Sequence, residues 1–332
     1  MPTLYVTEPG ARIEKEYKRL LVTKHDAVLF RVPLHQVSEV VLVGYVGVTT
    51  PALLALLHAQ IPVLLVRRTG ALVGRLLPPT PKNLPRRRNQ YRQADDPAVA
   101  LALTRAIVAG KLRNQRVLAL RVLRRHPGGD RAPLAQLYAA EKQVAAAPDL
   151  GTLRGVEGSG ARAYFALYRQ AFAPEWNFTD RNRRPPKDPI NALLSLGYTM
   201  LGHALMTALE AVGLDPYVGF FHAEKYGRPA LALDLVEEFR APFVDSLVMR
   251  VINWQMLKPQ HFLAEEPGPG VLLTDQGLRL FLREFGKQLE SRVQLQGTGR
   301  QLSYRKHFEV QARRLARFLE GEAERYPPFW AR

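Results

Sequence analysis

The spacing of apolar residues changes once along this chain, and that change restricts the fold more than any other feature. Up to about residue 77 the apolar residues form short runs rich in β-branched side chains, which turn signals such as Pro9-Gly10 and Thr69-Gly70 separate. From residue 97 onward they recur with the period of a helix. The pattern predicts an α+β protein, in which a small β-rich domain at residues 1–77 precedes a larger all-α catalytic domain at residues 97–332.

The same spacing predicts the individual elements. The predicted strands are the runs 4–7, 20–23, 27–32, 40–43, 63–67 and 71–76, with a short helix before the fifth run that Thr50 caps and Pro51 begins. The predicted helices cover residues 97–125, 134–147, 158–172, 189–212, 233–254, 278–295 and 302–325. Residues 78–96 are rich in proline and contain a block of three arginines, so we interpret them as a linker or hinge.

The charge of the chain favours nucleic acid as its partner. Lys and Arg outnumber Asp and Glu by 47 to 30, which gives a formal net charge of +17. A surface of this sign attracts phosphate polyanions. Cysteine is absent, which excludes disulfides, thiolate zinc sites and cysteine nucleophiles.

We expect neither a signal peptide nor a membrane span. The first residues lack the apolar core of a signal peptide, so we expect a cytoplasmic protein. The uncharged stretch 192–209 contains Ser195, Thr199, His203 and Thr207, which suits a helix buried inside a protein better than one that faces lipid.

Two polar residues stand out from apolar surroundings. Glu157 lies at the entrance to the predicted helix 158–172, where the dipole of the first turn favours a negative charge. His222 ends the apolar run 217–221, which is strand-like or tightly buried. Each residue also has a purely structural interpretation, Glu157 as a charge that complements the helix dipole and His222 as a hydrogen-bonded buried histidine.

A third polar group lies on the predicted helix 233–254. Asp234, Glu237 and Arg240 follow one another at i,i+3 spacing and share one stripe of a mostly apolar helix. A solvated acidic face with an internal ion pair would produce the same pattern, but buried acids need a partner or a metal. Two carboxylates and an imidazole together form a mixed oxygen and nitrogen site, suited to a divalent ion that assists phosphodiester chemistry.

Basic residues near these groups are candidate phosphate contacts. The segment 180–187 is a charged loop between helices, and a loop of this kind is more often simply solvated. If the segment 180–187 lay beside a metal, it would instead bind phosphate. The candidate DNA-binding residues are Arg86, Arg87, Arg88, Arg113, Arg162, Arg181, Arg183, Arg184, Lys187, Lys225, Arg228 and Arg240.

Four ordered motifs resemble those of the CRISPR-associated integrase family, which acts in spacer acquisition. They are GVEGSGARAYF at residues 155–165, RPPKDPINALLSLGY at 184–198, GFFH at 219–222 and LDLVEEFR at 233–240. The resemblance covers nearly the whole chain. It implies a β-rich domain followed by a helical one, a homodimer, and assembly with a smaller dimeric CRISPR-associated adaptation protein, of the Cas-two family.

The resemblance also implies a catalytic site. Glu157, His222 and Glu237 would be the catalytic residues and the ligands of Mg²⁺ or Mn²⁺, and Asp234 would lie next to the metal site. If the helix register differed, Glu238 could be mistaken for the metal ligand in place of Glu237. The i,i+3 spacing from Asp234 favours Glu237. The implied reaction is transesterification on double-stranded and branched DNA, in which a 3′-hydroxyl attacks a repeat phosphodiester. Water in its place would give nuclease activity.

Two other functions are consistent with the same residues. One is a non-catalytic DNA-binding scaffold whose acids are structural. The other is a cytosolic metallohydrolase that acts on a small phosphate ester, whose turnover would be insensitive to salt, whereas DNA binding weakens steeply as salt rises.

Overall fold

The fold is a β-rich N-terminal part followed by a mostly helical part, which confirms the predicted α+β class. The computed structural model describes residues 2–79, 83–182, 185–223, 225–265, 268, 270–295 and 298–331.

Two four-stranded sheets form the N-terminal part. One has the order β1-β5-β7-β8 and the other β4-β3-β2-β6. Their apolar faces enclose a small core that includes Ile13, Leu20, Val40 and Leu56. The strands are β1 Thr3–Val6, β2 Arg12–Glu16, β3 Arg19–Lys24, β4 Ala27–Pro33, β5 Glu39–Val43, β6 Gly47–Val48, β7 Val63–Val66 and β8 Leu72–Leu76.

The six predicted runs all overlap strands, but β2 and β6 were not predicted. Strand β2 has the sequence RIEKE, in which Ile13 is the only apolar residue, so its apolar pattern is too short to detect. Its strand conformation depends on the antiparallel pairing with β3. Helix α1, Thr50–His58, lies where predicted, but its cap is Thr49, whose hydroxyl accepts a hydrogen bond from Ala52 N at 3.4 Å.

Long helices build the rest of the molecule. They are α2 Leu84–Ala94, α3 Pro97–Arg125, α4 Ala132–Gln143, α5 Leu150–Tyr168, α6 Pro189–Val212, α7 Ala230–Phe239, α8 Ser246–Asn253, α9 Asp275–Glu290 and α10 Tyr304–Leu319. A π-helical turn, Arg240–Asp245, joins α7 to α8. Two short hairpins interrupt this part, so it is not all-α as predicted. They are β9 Phe262–Glu265 with β10 Gly270–Leu273, and β11 Arg292–Gln294 with β12 Gln301–Ser303.

Helix α2 lies inside the segment predicted to be an irregular linker, so that prediction is wrong for residues 84–94. Asn83 caps the helix by accepting a hydrogen bond from Arg86 N at 3.2 Å. Pro85 lies in the first turn, where a missing N–H costs nothing. Gln90 then anchors the helix, because its side chain amide donates to Asp215 O at 2.8 Å and Val218 O at 2.9 Å.

Helices α3, α5, α6 and α7 bring the candidate site residues together. Helix α3 packs against α4, α5 and α7, and α6 packs against α7 and α10. Helix α6 is long and apolar enough to cross a membrane, yet 78% of its most apolar window is buried inside the protein. That burial is what a core helix requires, as the polar residues within it suggested.

Candidate active site

Glu157 lies in the middle of α5, not at the entrance to a helix. The helix begins seven residues earlier, at Leu150, where the Asp149 carboxylate accepts a hydrogen bond from Thr152 N at 2.8 Å. The predicted start at residue 158 was therefore wrong, and the first-turn dipole does not act on Glu157. Glycines at 151, 155 and 158 weakened the helical pattern. Burial of Leu153 and Val156 against the core compensates for them.

A buried lysine links two of the predicted acids. Lys111 extends from α3, and its ammonium forms ion pairs with Glu157 on α5 and with Glu237 on α7. The distance from Lys111 Nζ to Glu237 Oε2 is 2.6 Å. Both Lys111 and Glu237 are buried, while the Glu157 side chain keeps 20% of its exposure. Glu157 and Glu237 are therefore joined by a cation, Lys111, that was not among the predicted site residues.

His222 is held by Asp234. One carboxylate oxygen, Asp234 Oδ1, lies 2.7 Å from His222 Nδ1 and accepts the His222 backbone N–H at 2.9 Å. The other, Oδ2, accepts the N–H groups of Phe220 at 2.7 Å and Phe221 at 3.1 Å. The run 217–221 forms no strand, since this carboxylate takes the place of a neighbouring strand as the acceptor for its N–H groups.

Because Nδ1 is engaged, the second ring nitrogen of His222 faces the acids. His222 Nε2 lies 3.8 Å from Glu237 Oε1. A carboxylate that fixes one imidazole nitrogen and so directs the other toward a metal is the usual arrangement around a histidine ligand. Asp234 is the carboxylate that fixes Nδ1 of His222 in this way.

Arg240 adds a second cation to Glu237. Its Nη1 donates to Glu237 Oε1 at 2.7 Å, and its guanidinium carbon lies 4.1 Å above the ring of Tyr198. Burial alone would raise the pKa of the Glu237 carboxyl, but Arg240, Lys111 and His222 outweigh burial and hold that pKa below its ordinary value. Glu237 is therefore ionised over the whole physiological pH range.

Glu238 faces away from this cluster. Its Oε1 accepts the Tyr326 hydroxyl at 2.7 Å, and its Oε2 accepts Phe329 N at 2.7 Å and the Gln311 amide at 3.0 Å. Burial raises the pKa of Glu238 to about 7. Glu237, not Glu238, is thus the acid that lies beside His222, as the i,i+3 spacing from Asp234 indicated.

A further buried carboxylate, which was not predicted from the sequence, lies near the cluster. Asp245, in the π-helical turn, accepts the hydroxyls of Tyr198 at 2.5 Å and Tyr164 at 2.6 Å, and its backbone oxygen accepts Tyr168 at 2.9 Å. A signal was present, because an aspartate at this point interrupts an otherwise apolar helix. Lys111 carried a similar signal, since spacings of four, three and seven residues align it with the apolar residues Ile107, Val108 and Leu118.

The residue types in the cluster fit a divalent ion. Carboxylate oxygens and an imidazole nitrogen are donors that Mg²⁺ and Mn²⁺ accept. Glu237 Oε2 is buried, and the Lys111 ammonium, 2.6 Å away, is the cation that balances its charge. Within the described part of the chain, no three such side chains already lie at metal-binding separations. The ammonium of Lys111 is the cation that lies between Glu157 and Glu237 in this structure.

The predicted DNA-binding residues divide into two sets. Arg88, Arg162, Lys187 and Lys225 are exposed, and Arg87 and Arg228 are partly exposed. Four arginines make contacts within the protein, and their binding to DNA stays a prediction. Arg183 and Arg184 lie outside the described residues. The four engaged side chains contact Glu320 (Arg86), the Trp330 ring (Arg113), Asn191 and Ser195 (Arg181), and Glu237 (Arg240).

The matching family model and the curated relatives name the same family. Residues 4–287 match the family model described as CRISPR associated protein Cas1. A CRISPR-associated endonuclease Cas1 from Thermus thermophilus is 38% identical over 334 residues, which are 99% of this chain and 97% of that protein. A Cas4/Cas1 fusion from Geobacter sulfurreducens is 36% identical over 99% of this chain, which spans 60% of the length of the fusion.

A solved structure shares the fold as well. One chain of a Cas6-RT-Cas1–Cas2 complex superimposes on 99% of this chain with a TM-score of 0.81 and 27% identity, over 36% of its own length.

Proposed function

Because the chain belongs to the CRISPR-associated Cas1 family, an endonuclease and integrase family, we propose that it is the metal-dependent enzyme that joins captured DNA to a CRISPR repeat. The observation that carries the proposal is the meeting of Glu157 and Glu237 at one buried ammonium, with His222 Nε2 3.8 Å from Glu237 Oε1. A purely structural role for these acids would not require Asp234 to fix the histidine toward them.

The proposed reaction is the transfer of a phosphodiester. The 3′-hydroxyl of the captured fragment loses its proton and bonds to a repeat phosphorus, and the former 3′-oxygen of the repeat leaves. Water as the attacking group gives strand cleavage instead. Glu157, His222 and Glu237 would hold Mg²⁺ or Mn²⁺, which when bound lowers the pKa of the attacking hydroxyl and neutralises the leaving oxygen.

The other residues of the cluster orient these groups. Asp234 keeps the Nε2 of His222 turned toward Glu237, and Arg240 holds the Glu237 carboxylate in a single orientation. Arg240 is itself kept in place by the ring of Tyr198. The ligands are thereby arranged before substrate arrives, which is what electrostatic catalysis requires.

We infer that double-stranded and branched DNA are the substrates. The net charge of +17 attracts phosphate, and Lys225, Arg228 and Lys187 lie close in sequence to the candidate ligands or their supporting helices. Contacts from such side chains set the position of DNA and read little of its sequence.

We also propose a homodimer that assembles with a smaller dimeric protein of the Cas2 type. The solved complex that this chain resembles contains Cas1 and Cas2. Strand β4 lies at the edge of its sheet and exposes Val28, Leu29 and Phe30. An exposed apolar edge strand usually pairs with, or is covered by, another chain.

The experiment that tests the proposal compares two matched glutamates. Glu157→Ala should reduce Mn²⁺-dependent joining of a branched repeat DNA by about 100-fold or more, because one ligand and its charge are lost. Glu141→Ala should keep full activity. Glu141 has nearly the same exposure, 22% against 20%, and is also paired with a basic residue of α3, Arg116, but lies outside the cluster.

Each alternative makes a different prediction in this assay. Equal joining by the parent and by Glu157→Ala would refute the assignment of Glu157 as a ligand, and DNA binding without Mn²⁺-dependent joining by the parent would favour the scaffold. Activity on a small phosphate ester that does not decline with rising salt would favour the metallohydrolase.

A further inference from the structure

Four side chains of the cluster balance one another in charge. Two carboxylates, Glu157 and Glu237, are in ion-pair contact with two cations, Lys111 and Arg240. All four side chains are largely buried, with at most 20% of any one exposed. Since charges interact strongly where water is scarce, a divalent ion added to this cluster would bring two uncompensated positive charges.

DNA would supply the missing negative charge. Each phosphate carries one negative charge, and phosphate oxygens are good ligands for Mg²⁺ and Mn²⁺. A phosphate at the cluster would therefore offset the charge of the ion and provide a further acceptor for the Lys111 ammonium. The charge balance thus links the two ligands, because each makes the other easier to bind.

We propose that Lys111 is a positioning residue that makes tight metal binding depend on DNA. Without DNA its ammonium occupies the acids Glu157 and Glu237 and weakens their hold on a divalent ion. With DNA bound, the ammonium moves off the acids and they become available to the ion. This inference rests on the proposed function and adds to it an order of assembly.

The fold provides a second acceptor for the displaced ammonium. Gln115 lies four residues further along α3, on the same side as Lys111, and both are buried. Its side chain oxygen, Oε1, is buried and accepts no hydrogen bond. Lysine is suited to such a movement because its ammonium is carried on a flexible four-carbon chain, whereas the planar guanidinium of arginine is constrained in its contacts.

The test measures Mn²⁺ affinity directly, by calorimetry on the full chain with and without a duplex DNA. In the parent protein, DNA should strengthen Mn²⁺ binding by about 5-fold to 150-fold, and Mn²⁺ should strengthen DNA binding by the same factor. Lys111→Met should bind Mn²⁺ about tenfold or more tightly than the parent without DNA, and should lose most of the dependence on DNA.

Two variants serve as controls. Arg116→Met removes one positive charge from the same helix, but from the pair with Glu141 outside the cluster, and should bind Mn²⁺ as the parent does. Lys111→Arg keeps the charge and should also remain weak without DNA. Since Lys111→Met leaves two acids close together, thermal unfolding with increasing Mn²⁺ checks its fold. Mn²⁺ should raise its unfolding temperature more than that of the parent.

Several results would overturn the inference. One is Mn²⁺ binding by Lys111→Met that is no tighter than in the parent. Another is a change in Mn²⁺ affinity that is the same in Lys111→Met and Arg116→Met. A third is a parent protein whose Mn²⁺ affinity does not change when DNA is added. A failure of the proposed function is distinguishable, because Glu157→Ala would then leave the affinity for Mn²⁺ unchanged in every background.

Discussion

At the scale of single residues, Asp245 connects the tyrosines of α5 and α6 to the helix that carries Glu237. Tyr198 donates to Asp245 and also lies beneath the guanidinium of Arg240, which in turn holds Glu237. Burial raises the pKa of Asp245 to about 6, although the two tyrosine hydroxyls and Arg240 oppose that shift. The carboxyl therefore stabilises the fold most when it is protonated.

The pH dependence of stability tests this assignment. Between about pH 4 and pH 6 folded Asp245 keeps a proton that the unfolded chain has lost, so its contribution to stability falls as pH rises. The free energy of unfolding of the parent relative to Asp245→Asn should decline by roughly 1 kcal/mol per pH unit in this interval. Urea unfolding at several pH values measures it.

An exposed aspartate provides the control. The hydrogen bond from Thr152 N lowers the pKa of Asp149, so above about pH 5 this carboxyl is ionised in both the folded and the unfolded chain. Asp149→Asn should therefore show no such slope. A relative stability of the parent that rises with pH between 4 and 6 would contradict the burial argument for Asp245.

At the scale of elements, two glycines of α5 differ in the space around them. A Cβ added to Gly160 would come within 2.5 Å of Leu112 Cδ2 on α3 and 3.2 Å of Ala140 Cβ on α4. A Cβ added to Gly158 would meet nothing within 4 Å. Gly160 thus permits the close approach of α5 to α3 that lets Glu157 reach Lys111, whereas Gly158 only lowers the helix propensity.

Alanine at each position should change stability in opposite directions. Gly160→Ala should lower the free energy of unfolding by about 1 to 3 kcal/mol, because the buried Leu112 side chain must shift in a closely packed core. Gly158→Ala should raise it by about 0.5 to 1 kcal/mol, because the unfolded chain loses freedom and the helix loses no space. Urea denaturation of the two variants is the measurement, and changes of the same sign would show that the close packing at Gly160 is not limiting.

At the scale of the whole molecule, basic side chains serve both the fold and the surface. Arg75 forms a two-pronged ion pair with Glu210, at 2.6 Å and 2.7 Å, that ties β8 to α6. Arg86 likewise ties α2 to Glu320 after α10, at 2.7 Å and 3.1 Å. Lys225, by contrast, is exposed three residues after His222. Net charge alone therefore overstates the surface that is free to bind DNA.

A matched pair of substitutions separates these roles. Lys225→Gln should weaken DNA binding evenly across sequences and reduce the slope of log Kd against log salt by about one, with little change in stability. Arg86→Gln should lower the unfolding temperature instead, because it leaves Glu320 without its partner. Fluorescence anisotropy at several salt concentrations and thermal unfolding distinguish them. An unchanged salt slope for Lys225→Gln would remove this residue from the DNA surface.

The sequence by itself predicted the fold class and the bounds of α3 and α6, and its resemblance to a known family pointed to Glu157, His222 and Glu237, which the structure brings close together. Apolar periodicity is a local property, so it is readable wherever a helix has one continuous buried face. Where glycines weaken the period, as at the start of α5, the apolar period predicted a helix that begins eight residues too late.

Only the tertiary structure decided what surrounds those three side chains. Lys111 is 46 residues from Glu157 in sequence, yet the two form an ion pair. Asp245 lies 81 residues from Tyr164, yet accepts its hydroxyl. Such contacts depend on how α3, α5, α6 and α7 pack, and no local pattern encodes the distance between two helices. Burial makes these contacts important for stability, because a charged group that is removed from water needs a partner within the fold.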